Sequence, residues 1–119
     1  MANYLLPRDR IQCAIAVDDE CRILGFQSLT HARPGNQYGV QDGWGIIGTH
    51  VSPRAARQGV GKALFAATLE AAKTAGLKDI DASIGADNPL GQAYYEAIGF
   101  RTYRMTEDRV CKAFRIDQA

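Results

Sequence analysis

The spacing of apolar residues along this chain changes several times, and each change predicts an element. Residues 11–17 and 22–30 are β-prone runs, the first ending Ala14-Ile15-Ala16-Val17, the second carrying Ile23, Leu24, Phe26 and Leu29. The polar Asp18-Asp19-Glu20-Cys21 between them suits an antiparallel hairpin. Residues 31–42 are polar and glycine-rich, a loop of a length that is often functional. Residues 43–51 read as the next strand, with Trp44, Ile46, Gly48 and His50 on one face and Gly45, Ile47, Thr49 and Val51 on the other. From 59 to 75 the spacing turns helical. Val60, Leu64, Ala67, Ala71 and Ala75 form an apolar stripe, widened by Phe65, Leu69 and Ala72, and Gly76 suits a left-handed stop. Period two returns over 79–86, where Ile80, Ala82, Ile84 and Ala86 alternate with Asp81, Ser83 and Gly85. Asn88 and Pro89 supply the cap and first position of a second helix to about 98, with Gly99 ending it and Phe100 packing back. Residues 100–105 and 109–116 flank the polar Thr106-Glu107-Asp108 as a closing hairpin.

The order β-β-β-α-β-α-β-β predicts an α/β (α+β) fold with at least one crossover between neighbouring strands. At 119 residues the chain is expected to form a single domain, 1–119, large enough for a real core. Composition narrows the function little. A net charge of +1 gives no broad pull toward nucleic acid, so no nucleic-acid partner is expected. No long apolar run near the start suggests a signal peptide or membrane span. Cys13, Cys21 and Cys111 are odd in number and far apart, so neither a disulfide framework nor a metal site is expected, and a reducing cytoplasm is the simplest setting.

The candidate chemistry lies where the strand ending at Val51 meets the helix starting near Gly59. Val-Ser-Pro-Arg-Ala-Ala-Arg-Gln-Gly-Val-Gly-Lys spans the turn. Glycines let backbone approach a ligand closely. The first helical N–H groups have no partner within the helix, and the helix dipole adds partial positive charge there. Such a turn suits a phosphate or pyrophosphate, with Arg54, Arg57 and Lys62 around it. A plain strand–turn–helix corner is the bland alternative, because two glycines alone match neither common nucleotide motif.

Downstream, Asn88-Pro89-Leu90-Gly91-Gln92-Ala93-Tyr94-Tyr95-Glu96-Ala97-Ile98-Gly99-Phe100 resembles the Asn…Tyr-Glu-x-x-Gly-Phe signature of the GNAT acetyltransferase superfamily. The glycine turn precedes it with one strand between, as in that family. The resemblance implies a mixed, splayed sheet that binds acetyl-CoA between two diverging strands, here 43–51 and 79–86. It implies pantetheine pairing near the backbone of His50 and Val51. It places the pyrophosphate on the amides of Gln58, Gly59, Val60, Gly61, Lys62 and Ala63, beside Arg57. It puts Asn88 near the pantetheine or acetyl end. Tyr95 matches the family's proton donor to the leaving thiolate. A tyrosine with an ordinary pKa near 10 stays protonated at neutral pH and can serve a thiol whose own is near 8.5. A strand N–H near Val51 would stabilise an oxyanion. Without the motif, Tyr95 reads as a core aromatic; Tyr94 is expected to face elsewhere, packed or at the surface.

The chain also departs from the family pattern. Ala56 stands where a Gln or Arg is usual. No acidic residue occupies the strand before the turn, which leaves His50 as the nearest titratable candidate for general base, beside a water relay. An imidazole's ordinary pKa near 6.5 suits that role, although a histidine bonded to backbone is the plainer reading. The elements that commonly precede the hairpin do not fit in ten residues. The acceptor site is then open, or completed by the 31–42 loop or by a second subunit in a homodimer, or the chain is part of a longer one. The leading expectation is an acetyl-CoA-dependent N-acetyltransferase acting on a primary amine of a small molecule, amino acid or peptide, needing no metal. The alternative is an acyl-CoA-binding module of the same fold without turnover.

Overall fold

In the computed structural model, residues 10–32, 39–41, 43–55 and 59–116 are described. Strands β1 (Arg10–Val17), β2 (Ile23–His31) and β3 (Gly45–Val51) are followed by a short 3-10 turn, Pro53–Ala55. Helix α1 (Val60–Thr74), strand β4 (Asp79–Gly85), helix α2 (Pro89–Ala97) and strands β5 (Arg101–Met105) and β6 (Arg109–Arg115) complete the order. Boundaries lie within about two residues of those expected from the pattern. The helix ends fall at glycines with positive φ, Gly76 at 75° and Gly99 at 114°. Asn88 caps α2, its side-chain oxygen accepting from the Gly91 N–H at 3.0 Å.

The six strands form one sheet in the order β1-β2-β3-β4-β6-β5. Among the described residues only the β3–β4 pair is parallel, and it holds just two register pairs, Gly45↔Ile80 and Ile46↔Asp81. On their outer sides both strands stay fully paired: β3 with β2 from His31↔Gly45 to Gly25↔Val51, and β4 with β6 from Asp79↔Arg115 to Gly85↔Arg109. The sheet therefore opens between β3 and β4 toward their C-terminal ends, as the mixed, splayed architecture requires.

The core lies between one face of the sheet and the two helices. Leu29, Ile47, Ile80, Ala82 and Ile84 from the strands meet Phe65 and Ala72 of α1 and Tyr95 of α2. Phe100 is fully buried at the centre, its ring 5.1–5.6 Å from those of Tyr95, Phe114 and Phe65. The buried face of α1 differs from the expected stripe. Leu64, Phe65, Thr68 and Ala72 are buried, while Ala67 and Ala75 are exposed. Alanines earn their place there by helix propensity and give little burial signal. Thr68 can be buried because its hydroxyl donates to the Leu64 carbonyl at 3.1 Å.

Candidate active site

The mouth of the splay is a cleft of about 550 Å³, walled by Thr49, Val51 and Ser83 of the strands and by Asn88, Tyr94 and Tyr95 of α2. Register decides which backbone groups face it. The Ser52 N–H donates to Leu24 at 2.7 Å, and Trp44 accepts from Ala32 at 2.9 Å, so even-numbered residues of β3 bond to β2. By the alternation of an antiparallel ladder, Ile47, Thr49 and Val51 turn their N–H and C=O toward β4. There the β3–β4 ladder has already ended. An extended ligand could use these groups as an added strand would. His50 belongs to the other set. Its carbonyl lies against Gly25, where a Cβ would come within 2.6 Å. Of the His50–Val51 backbone, the part that faces the cleft is thus Val51, joined by Thr49. The exposed His50 ring lies 5.6 Å from that of Phe26, on the sheet face opposite the helices.

At the start of α1, Gly59 sits in the N-cap position at φ 77° with no side-chain cap. The Ala63 N–H already donates to Gly59 at 3.0 Å, which removes it from the expected set of open amides. Among the described residues, the amides of Val60, Gly61 and Lys62 ahead of it have no acceptor. No acidic residue lies in this first turn, and Lys62 is exposed beside it. Arg57 and Gln58 fall outside the described residues.

Gly61 is needed for packing as well as for approach. A Cβ there would stand 2.6 Å from Cε1 of Tyr94. Gly61→Ala is expected to cost about 1–3 kcal/mol by overpacking, read as a lower urea midpoint. An unchanged midpoint would mean the ring does not rest on this glycine.

Tyr95 is 7% exposed, and its hydroxyl lies 2.7 Å from Thr49 Oγ1. Burial pushes its pKa up to about 12 against the opposing hydrogen bond from Thr49. The next residue, Glu96, pairs with Lys112 Nζ at 2.5 Å, and the same buried ammonium donates to Thr102 at 2.7 Å. This clamps α2 to β6 and β5. The Lys112 hydrogen bond, with its charge, holds the Glu96 carboxyl below the usual carboxylate range.

Several groups at the site had no role in it from sequence. Tyr94, expected to face elsewhere, lines the same cleft as Tyr95, packs 4.9 Å from it, ring to ring, and donates its hydroxyl to the Gly61 carbonyl at 2.8 Å. Gln27 is fully buried, its amide nitrogen 3.0 Å from Thr49 Oγ1 and 2.9 Å from the Tyr94 hydroxyl. The signal was present: Thr49 is the polar residue on a strand face of Gly45, Ile47 and Val51, and Gln27 stands between Gly25 and Leu29 on its own. Asp81 is fully buried at the apex of the splay, accepting from the Tyr103 hydroxyl at 2.6 Å. Burial raises its pKa, with Tyr103 and Arg104 opposing.

A splayed parallel pair, an uncapped glycine-started helix and a tyrosine at the inner wall now stand together. The sequence profile of the Acetyltransferase (GNAT) family matches residues 2–100. The chain belongs to the GNAT acetyltransferase family. Mycothiol acetyltransferase of Renibacterium salmoninarum is 31% identical over 87 residues, which are 72% of this chain and 25% of that protein. The PaiA N-acetyltransferase of Thermoplasma acidophilum, solved with coenzyme A, superposes with a TM-score of 0.76 at 14% identity, over 96% of this chain and 65% of that one. A GNAT-family protein from Desulfovibrio desulfuricans gives 0.79 at 16% identity, over 97% and 75%. At such identities the solved structures speak to the GNAT fold alone. This GNAT chain spans a quarter of the length of its mycothiol acetyltransferase relative. No helix among the described residues is long and apolar enough to cross a membrane.

Proposed function

We propose that residues 1–119 act as one acetyl-CoA-dependent N-acetyltransferase domain that acetylates a primary amine of a small molecule, amino acid or peptide. The observation that carries this reading is the Tyr95 hydroxyl on the wall of the cleft between β3 and β4. Acetyl-CoA would bring an activated thioester whose leaving group is a thiolate. Thr49 and Val51 would hold the pantetheine arm through backbone groups left open by the splay. The amides of Gly59, Val60, Gly61 and Lys62, with Arg57 and Gln58 before them, would hold the pyrophosphate. Asn88 uses one lone pair of its side-chain oxygen on capping, and its NH₂ would be the donor toward a ligand.

Tyr95 would donate to the departing sulfur. At about 12 it is a weaker acid than a thiol near 8.5, so a strong hydrogen bond stabilises the departing sulfur before the proton passes over. His50 faces the opposite side of the sheet, where an acceptor amine would enter, and is the candidate base. That face is bare around it: Ile15 is 59% and Phe26 41% exposed. A homodimer that covers this row is part of the proposal, as is a cytoplasmic setting, with which three free cysteines agree.

The same bareness favours, as second reading, a module that binds acyl-CoA without turnover. Calorimetry with acetyl-CoA and CoA, followed by thiol release across a panel of amines, separates the two. Micromolar binding with amine-dependent release supports the transferase. Binding without release from any amine supports the module, and no binding by folded protein removes both.

A further inference from the structure

The hydrogen bonds that lead to Tyr95 have a polarity that counting protons fixes as far as Thr49. The Gly61 carbonyl can only accept, so the single Tyr94 hydroxyl proton is committed to it at 2.8 Å. The Tyr94 oxygen must then accept from the Gln27 group 2.9 Å away, which has to be the NH₂ end. The opposite amide orientation would set two acceptors against each other. It is disfavoured even though the observed one leaves Gln27 Oε1 buried without a partner among the described residues. The second NH₂ proton goes to Thr49 Oγ1 at 3.0 Å. Having accepted there, Thr49 keeps its own hydroxyl proton and one lone pair, and the Tyr95 oxygen stands 2.7 Å from it, where either oxygen can donate.

We propose that Thr49, oriented by Gln27, is a positioning residue that donates its hydroxyl proton to Tyr95 and so leaves the Tyr95 O–H directed into the cleft. The inference rests on Tyr95 being the acid of an acetyl transfer. In that step the Tyr95 O–H bond breaks as an S–H bond forms on the leaving sulfur. The electron pair left on the phenolate is held by the Thr49 hydroxyl, and solvent entering the cleft restores the proton. A donor aimed at the phenolate favours its charged form. Tyr94 and Asp81 are the other titratable groups acting on Tyr95, both opposing ionisation. A Thr49 hydroxyl held as an acceptor in both protonation states would act in the reverse sense, so a midpoint that rises on its removal reports donation to the phenolate.

The test labels the free protein with 3-fluorotyrosine, whose phenol ionises at lower pH than tyrosine, and follows each ring by fluorine NMR. Tyr95→Phe assigns the resonance. Thr49→Val is expected to raise the Tyr95 midpoint by about one pH unit, and Thr49→Ser to restore it. In unlabelled protein, Thr49→Val should lower kcat about tenfold with KM for acetyl-CoA within about twofold, and Thr49→Ser should recover it. A midpoint that falls or stays put overturns the polarity, and an unchanged kcat overturns the positioning role. If Thr49→Val does not fold, Gln27→Met carries the titration, with a smaller rise expected and a fall or no change again overturning the polarity. The titration needs no cofactor. A raised midpoint in a protein that transfers acetyl to no amine would leave the polarity standing and remove the transferase reading instead.

Discussion

Tyr95→Phe is expected to lower kcat about a hundredfold while leaving KM for acetyl-CoA nearly unchanged. The substitution removes one oxygen and keeps the ring, which packs 5.1 Å from Phe100 and 4.9 Å from Tyr94. Cofactor affinity should therefore survive, because the proposed contacts to the pantetheine and pyrophosphate come from β3 and the start of α1. The stability cost should be about 0.5–1.5 kcal/mol, the worth of the single bond to Thr49. Tyr94→Phe is the matched control. It removes the hydroxyl that ties α2 to Gly61 and should lower stability more than turnover. The pH profile adds a second reading. A tyrosine raised to about 12 keeps its proton throughout the range in which enzymes are assayed. No alkaline fall in kcat should trace to Tyr95, and the rate should hold or rise as the acceptor amine loses its proton. Full activity in Tyr95→Phe would dismiss this residue as the acid, whatever the fold.

Most of the element order was legible because the period of the apolar residues changes cleanly at each boundary and glycine closes each helix. The face of α1 was misread for a physical reason. Alanine marks helix but not burial, and Thr68 hides its hydroxyl on its own backbone. The splay was legible only through the resemblance. Nothing in the two strands taken singly says that their ladder stops after Ile46↔Asp81, since that depends on how β2 and β6 hold them from outside. Asp81 was placed on a polar strand face by alternation. Its full burial needed the Tyr103 side chain, 22 positions along the chain, to close over it. The Gln27–Thr49–Tyr95 bonds lay furthest from sequence, because they join three elements at distances that register and rotamer fix together.

The glycine turn and the tyrosine are also not independent parts. Gly61 supplies an amide at the proposed phosphate site, a carbonyl to Tyr94, and a surface on which the Tyr94 ring rests. Gln27 passes the resulting polarity to Thr49 and Tyr95. The start of α1 and the proposed acid are thus linked through four side-chain hydrogen bonds, and a change at either end should be felt at the other.

Phe100→Ala is expected to cost about 3–5 kcal/mol, the largest stability loss foreseen for any single substitution. The ring is fully buried and meets Phe65, Tyr95 and Phe114 at 5.1–5.6 Å, two of the contacts edge-on. Its N–H also donates to the Tyr95 carbonyl at 2.9 Å, closing the end of α2, and that bond survives the substitution. The loss is therefore one of packing, and the aromatic neighbours can only partly collapse into the space. Against a total of about 5–15 kcal/mol for a domain of ordinary stability, much of the folded population is at risk. Urea unfolding followed by far-ultraviolet circular dichroism reads the change as a lower midpoint at similar slope. Phe100→Leu, which keeps more volume, should lose less. A loss below about 1 kcal/mol for Phe100→Ala would mean that the site yields or refills easily, contrary to a core in which this ring seats the helix bearing Tyr95.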